Sequence, residues 1–325
     1  MKVALIHNPN AGDDSGATAG QLEALIREAG HKVRLQSIKE KNWPDSAGKR
    51  ADLVAVAGGD GTVGEVARKL VGKGIPIAVL PMGTANNISR TLGIVDKSVL
   101  ELIPGWARAK RLHFDAGIAT GPWGSSHFIE GIGMGLFARA LPRIRGNKTM
   151  ASLADGDVKL SYALQLMREH LENSRPMKLN ATLDGKDISG KYLLFEAMNT
   201  RYIGPNLFLA PHVAPGAGLL DIVYVAERDR KKLARFLAKW QEGKFWPPDL
   251  GVGRGRRLEL EWTGFPLHLD DKLWPVKGRK RPRPPATIGI ELEPAALEFL
   301  VPEKPDDPPE RHRTSDGKSR KRARH

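Results

Sequence analysis

The sequence predicts an α/β protein: an N-terminal domain built on a parallel sheet, then a C-terminal, mainly antiparallel β-sandwich domain. Three observations carry this reading. Residues 1–112 alternate short apolar runs with stretches of helical periodicity, the pattern of β-turn-α units on a parallel sheet covered on both faces. Beyond Leu112 the chain changes to short runs of β-forming residues separated by Gly, Pro and Asn, as an antiparallel domain requires. The 325 residues are enough for two separate cores.

Taken in order, Lys2–Ile6 reads as a buried strand ending in the loop Asn8-Pro9-Asn10-Ala11-Gly12. Leu22, Leu25, Ile26 and Ala29 recur at helical spacing, and Gly30 closes that helix. His31–Leu35 is the second strand and Ala51–Ala57 the third. The third runs into Gly58-Gly59-Asp60-Gly61-Thr62, with a helix expected over Val63–Leu70. Ile75–Leu80 is the fourth strand, followed by Pro81-Met82-Gly83-Thr84-Ala85-Asn86-Asn87 and another helix. In the second domain, strands are expected over 114–118, 127–132, 178–183, 192–198, 219–225 and 258–262, with helices over 161–171 and 230–241. The 230–241 helix carries Leu233, Phe236, Leu237 and Trp240 on one face. Such a stripe fits a helix packed on a sheet better than one lying on a membrane. The expected boundaries are 1–112 and 113–287, with about 288–301 returning to the first domain. Residues 302–325 are Pro-rich and charged and are expected to form a disordered tail.

No run approaches the ~18 apolar residues of a membrane-spanning helix. The N-terminal apolar run is too short for a signal peptide, so the expected location is cytoplasmic, peripheral at the inner membrane face. With no cysteine, the chain has no disulfide, thiol nucleophile or thiolate metal site. A net charge of +14 favours anionic partners: anionic lipid, polyphosphate or nucleic acid. Much of it sits in 278–285 and 317–324. No aromatic-and-basic motif of the nucleic-acid kind accompanies it.

Three loops, Asn8–Gly12, Gly58–Thr62 and Pro81–Asn87, each leave the C-terminal end of a predicted parallel strand, the edge where open α/β sheets bind ligands. Glycines at such a junction let the backbone bend and its N–H groups approach a phosphate. Asp60 adds a carboxylate where phosphates or their Mg²⁺ would sit. Thr62 and Glu65 spell a capping box. Gly59 to Gly64 also fits G-x-G-x-x-G, but the fourth strand runs into Pro81-Met82-Gly83 and lacks the acidic residue a dinucleotide site needs. There is no P-loop, nucleophile elbow or H-E-x-x-H, and the nine histidines are scattered.

In order and spacing, Asn8–Gly12, Gly58–Thr62 with Glu65, and Pro81–Arg90 resemble the diacylglycerol kinase catalytic-domain family, which includes bacterial soluble lipid kinases and sphingosine kinases, with NAD kinases more distant. Asp115-Ala-Gly, Phe128–Gly135, and Asn199 through Pro211 to Asp221 fit as well, so the resemblance spans about residues 1–301. It implies ATP and Mg²⁺ in a cleft between two domains, with a lipid hydroxyl attacking the γ-phosphate. Asn8, Pro9, Asn10, Ala11, Gly12, Ser37, Gly58, Gly59, Asp60, Gly61, Thr62, Glu65, Gly83, Thr84, Asn86 and Asn87 would surround the nucleotide, Asp60 facing metal and phosphates.

Three positions depart from the family pattern. Its Asp-Gly-Glu, whose Glu takes the hydroxyl proton, reads Asp270-Asp271-Lys272. A protonated lysine cannot take a proton, so Asp270 or Asp271 is the expected base. Ala217-Gly218 replaces the Asp-Gly of a structural Mg²⁺ site, which is expected to be lost although Asp221 remains. Asn86-Asn87 stands for the usual Asn-Asp. The expected activity is ATP-dependent phosphorylation of a diacylglycerol-like or sphingoid lipid at an anionic membrane surface. A weakened nucleotide- or lipid-binding relative and a kinase of a soluble substrate such as NAD are the alternatives.

Overall fold

The computed structural model describes residues 1–11, 17–44, 51–276 and 282–303. Gly12 lies outside the described residues, as do 277–281 of the basic loop and 304–325 of the tail.

Strands β1 (Lys2–His7), β2 (Lys32–Ser37), β3 (Leu53–Gly58) and β4 (Ile77–Pro81) run parallel in the order β2-β1-β3-β4. Central β3 is buried at every residue, because helices cover both faces of the sheet. Edge strand β2 leaves Lys32, Arg34 and Leu35 exposed. The covering helices are α1 (Ala19–Glu28), α2 (Asp60–Leu70), α3 (Asn87–Leu92) and α4 (Val99–Gly105). Capping boxes start α1, at Thr18 and Gln21, and α4, at Ser98 and Glu101. Gly30, one residue beyond the α1 cap, has φ 79°, a conformation suited to glycine. Because β1, β3 and β4 are adjacent, the loops that follow them meet at one sheet edge.

The chain continues through β5 (Lys110–Gly121), β6 (Gly124–Phe128), β7 (Gly131–Gly135), β8 (Met177–Leu179), β9 (Ala181–Leu183), β10 (Lys186–Asp187) and β11 (Gly190–Met198). It ends through β12 (Tyr202–Ile203), β13 (Leu207–Phe208), β14 (Leu220–Ala226), β15 (Gly251–Gly255), β16 (Arg257–Trp262), β17 (Leu267–Leu269), β18 (Lys272–Trp274) and β19 (Ala286–Val301). Among the described residues, β19 links the two halves. Its start pairs antiparallel with β16, and Phe299 near its end pairs parallel with Ile77 of β4. Leu297 and Phe299 are buried in the N-terminal core, each contributing about 1.5–3 kcal/mol. Facing this sheet lies a second one, β15-β14-β11-β7-β17-β18. Phe128, Phe195, Trp262, Ile288 and Ile290 pack between the sheets. The second sheet's outer face is covered by α5 (Leu136–Arg145), α7 (Gly156–Glu172) and α8 (Arg230–Gln241), with the short α6 (Lys148–Ser152) between the first two. The fold is therefore a parallel α/β domain joined to an antiparallel sandwich.

Two of the local expectations that change bear on the site. Helix α2 begins at Asp60 instead of Val63. Helix α5, unforeseen, follows directly on glycine-rich β7 and contains Pro142, which hides its apolar stripe. The 230–241 helix does pack on the sheet, since Leu233, Phe236, Leu237 and Trp240 are all buried. No helix of the described residues is long and apolar enough to cross a membrane.

Candidate active site

The glycines of the two loops do steric work. Gly58, Gly59 and Gly61 all lie outside the left-handed region, so a sharp bend is not what requires them. A Cβ on Gly59 would lie 2.9 Å from Gly83 Cα, and one on Gly83 would overlap Gly59 Cα. The two loops thus touch backbone to backbone. A Cβ on Gly58 would meet Thr62 Cβ at 2.7 Å. Gly83→Ala is accordingly expected to destabilise the protein by about 1–3 kcal/mol, read by thermal melting.

The expected Thr62–Glu65 capping box is absent. Helix α2 has Gly59 as its N-cap, with no side-chain cap. Thr62 is instead within the helix and accepts from Asn8 Nδ2 at 2.8 Å, tying the first loop to the second. Asn8 Oδ1 accepts from Asn10 N at 3.0 Å, and Asn10 Oδ1 from Lys39 at 2.9 Å. Pro9 is exposed and Ala11 half-buried beside them. Asn86, at φ 52°, closes the third loop by bonding both N and O of Gly83 at 2.9 and 2.7 Å. Ser37 ends β2 beside His7, but its hydroxyl is engaged by Lys39 N at 3.2 Å. The open start of α2 leaves backbone N–H groups and the positive end of the helix dipole for an anion.

A cluster of acids lies next to that open end. Asp60 Oδ1 accepts from Ile88 N at 2.9 Å. Burial raises its pKa, against the pull of the Ile88 and Asn87 amides. Asp270 is buried: Oδ1 accepts from the amides of Ile129, Glu130 and Gly131 at 2.9, 2.8 and 3.3 Å, and Oδ2 pairs with Arg68. Asp271, half-buried, pairs with Arg145 at 3.0 Å. Glu130 is 6% exposed, and Asn87 Nδ2 donates to its Oε2 at 2.9 Å. Burial, then the charges of Asp60 and Asp270, push the Glu130 pKa well above the usual carboxylate range. Behind Asp270, fully buried His268 bonds Glu196 at 2.7 Å through Nε2 and donates to the Asp270 carbonyl at 2.8 Å. Burial opposes a charged imidazole there, yet the Glu196 carboxylate together with the Asp270 carbonyl and carboxylate raises the His268 pKa. This pair anchors the turn that holds Asp270 at φ 50°.

Two cavities flank the acids. An apolar one of about 320 Å³ is walled by Phe137, Leu141, Ile144, Met150, Leu160 and Ala163 and reaches Asp60, Thr84, Asn87, Glu130, Asp270 and Asp271. A polar groove of about 700 Å³ holds Glu65, Arg68, Lys69 and exposed Lys272, with Trp123 and Trp274 edge to face at 4.4 Å. Lys272 therefore faces a different space from the acids. Sequence reasoning missed Glu130 and Arg68. The signal for Glu130 was a lone carboxylate in the apolar and glycine run Phe128–Gly135. At the sandwich edge, Asp221 is buried and held bidentately by Arg254 at 2.6 and 3.0 Å.

The site thus sets the open helix start of a parallel α/β domain against an acid cluster on an antiparallel sandwich. Residues 2–117 match the family model of the diacylglycerol kinase catalytic domain, and residues 143–301 that of the YegS C-terminal NAD kinase beta sandwich-like domain. By these matches residues 2–117 belong to the diacylglycerol kinase catalytic-domain family and residues 143–301 to the YegS C-terminal domain family. It is 26% identical over 317 residues to a diacylglycerol kinase of Mycobacterium tuberculosis (strain CDC 1551 / Oshkosh), covering 93% of this chain and 95% of the relative. To a diacylglycerol kinase of Bacillus subtilis (strain 168) it is 28% identical over 249 residues, 73% of this chain and 76% of that one. The crystal structure of a diacylglycerol kinase from Bacillus anthracis strain Sterne superposes with TM-score 0.67 at 22% identity, over 92% of this chain and 96% of that one. Yeast NADH kinase complexed with NADH shares the fold at TM-score 0.51 and 12% identity, over 94% and 84%.

Proposed function

We propose that the protein is an ATP- and Mg²⁺-dependent lipid kinase that transfers the γ-phosphate to the hydroxyl of a diacylglycerol-like or sphingoid lipid. One observation carries this reading: the apolar cavity ends on Asp60 and its neighbouring acids, beside the open start of α2. A hydroxyl at the head of an acyl chain would thus meet the phosphate-binding loops, whereas the dinucleotide of an NAD kinase would find an apolar wall. The backbone N–H groups of α2 cradle phosphate. Among the described residues no three His, Asp or Glu are grouped to hold a metal ion. Mg²⁺ enters such sites on substrate phosphates with one or two carboxylates. Asp60 is the residue that would hold it, and the ion would neutralise charge on the transferred group.

Exposed Phe245 and Trp246, beside Lys244 just past α8, supply an aromatic and basic contact for an anionic bilayer. Arg254 holds the buried Asp221 carboxylate bidentately, and in this reading no structural Mg²⁺ binds at Ala217-Gly218. Chelation by EDTA is expected to shift the melting temperature by less than about 1 °C, whereas Arg254→Ala should lower it by stranding a buried carboxylate. The assay for the main reading offers γ-labelled ATP with diacylglycerol, sphingoid base or NAD in separate mixed-micelle reactions. Labelled lipid is the expected product. Labelled NAD alone, or no labelled acceptor despite ATP binding, would reject it.

A further inference from the structure

Glu130 sits on the short link between β6 and β7, in a run otherwise apolar or glycine. Its carboxylate's one hydrogen bond among the described residues comes from Asn87, whose Nδ2 also donates to the Gly204 carbonyl at 3.1 Å. Gly204 has φ 59°, and a Cβ there would overlap the Phe137 ring, so the chain can approach Asn87 this closely only as glycine. Asn87 Oδ1, on a residue 3% exposed, has no hydrogen-bond partner among the described residues. Both side chains line the apolar cavity. A buried amide oxygen left without a donor is costly, and here it marks where a polar group of a bound molecule or a water completes the set.

No structural need accounts for a carboxylate at 130. Asp60 faces it from α2, Asp270 and Asp271 from the β17–β18 turn, and Lys159 lines the cavity from α7. The nearby guanidinium groups are taken, Arg68 by Asp270 and Arg145 by Asp271. Among the described residues no cation pairs with Glu130. A glutamine would make the same kind of contact with Asn87 and relieve the repulsion. Side chains that weaken the fold in this way gather at functional sites.

The rival bases are worse placed. Asp270 spends its oxygens on three amides and Arg68. Asp271 is half exposed and tied to Arg145. Lys272 faces the other groove. Resting on the lipid-kinase reading above, we propose that Glu130 is the catalytic residue that accepts the proton of the acceptor hydroxyl, with Asn87 holding its carboxylate at the end of the apolar cavity. The hydroxyl oxygen forms a bond to the γ-phosphorus while its proton passes to Glu130. The bond from the γ-phosphorus to the β–γ bridging oxygen breaks, and ADP departs with that electron pair. Glu130 afterwards gives the proton to solvent. The carboxylate absent at 87 has thus moved across one hydrogen bond to 130.

The test compares the parent, Glu130→Gln, and the double variant Glu130→Gln with Asn87→Asp, using γ-labelled ATP and the lipid micelles. Glu130→Gln should lower kcat by about 10²–10⁴-fold with the ATP Kd, acceptor KM and Mg²⁺ requirement changed by less than about threefold. The double variant, which returns a carboxylate to the other side of the same contact, should recover at least about tenfold over the single one. As a check on folding, Glu130→Gln should melt above the parent at neutral pH. Burial has raised the Glu130 pKa, so the parent loses stability as pH rises past the ordinary carboxylate value; the gap should close in acid. A kcat within about threefold of the parent, a double variant no better than the single, or a loss confined to the Mg²⁺ requirement overturns the role of Glu130 alone. A parent that binds ATP but labels no lipid overturns the lipid-kinase reading and this role with it.

Discussion

Asp60→Asn is expected to lower phosphotransfer on the order of 10²–10³-fold, while ATP still binds. The substitution preserves shape. An asparagine oxygen can still accept from Ile88 N, now at 2.9 Å from Asp60 Oδ1, so the α2–α3 junction stays closed. What disappears is the negative charge at the open start of α2, where metal and transferred phosphate would be balanced. In the function proposed above, affinity for ATP would rest mainly on backbone N–H groups, which the variant leaves untouched. The measurements are single-turnover transfer of labelled phosphate and ATP titration, side by side. An unchanged rate would remove Asp60 from the chemistry; a lost affinity with an intact rate constant would make it a binding residue only.

Asp270→Ala should have the largest effect on stability. The carboxylate closes an arc of three amides, Ile129, Glu130 and Gly131, and pairs with Arg68, which is 15% exposed. Its removal leaves a cation with little access to water and amides with no acceptor. Breaking a pair so buried costs about 3–5 kcal/mol, a fall of roughly 6–20 °C in melting temperature for a protein of this size. Asp270→Asn keeps an acceptor for the amides and should lose less. The raised pKa of Asp270, caused by burial and opposed by Arg68, sets the sign with pH. A carboxyl whose folded pKa lies above its unfolded one stabilises most in acid and progressively less as pH rises. The gap between parent and variant, read by calorimetry across pH, should reflect that slope over the ordinary carboxylate range and above. Equal melting temperatures would show that the arc is not a latch.

Much of the fold was legible because parallel strands buried on both faces leave an unbroken apolar record. Leu53–Gly58 reads as a strand in any context, and its neighbours Ile77–Pro81 and Lys2–His7 are nearly as plain. Helix α5 was not legible. Its apolar stripe is short, and it begins where a glycine-rich strand stops and carries Pro142. The loops were found for the right positions and partly for the wrong reason: Gly59 and Gly83 are required by each other's backbones. Thr62 looked like a cap and is instead the anchor of Asn8. Lys272 stands where the family has Glu, and in the structure it lines the groove with Glu65 and Arg68.

By itself, the sequence determined the order of elements, the sheet edge at which three loops meet, and the glycine loop around Asp60 that we read as the phosphate site. Those features are local, written in periodicity and in residues a few positions apart. Only the tertiary structure decided which carboxylates are engaged and which are available. Asp270 is consumed by amides 139 to 141 residues away along the chain and by Arg68. Glu130 meets Asn87 across 43 residues. Chain distance hides such pairings, and an acid's chemistry is fixed by whatever the fold places within a few ångströms of it.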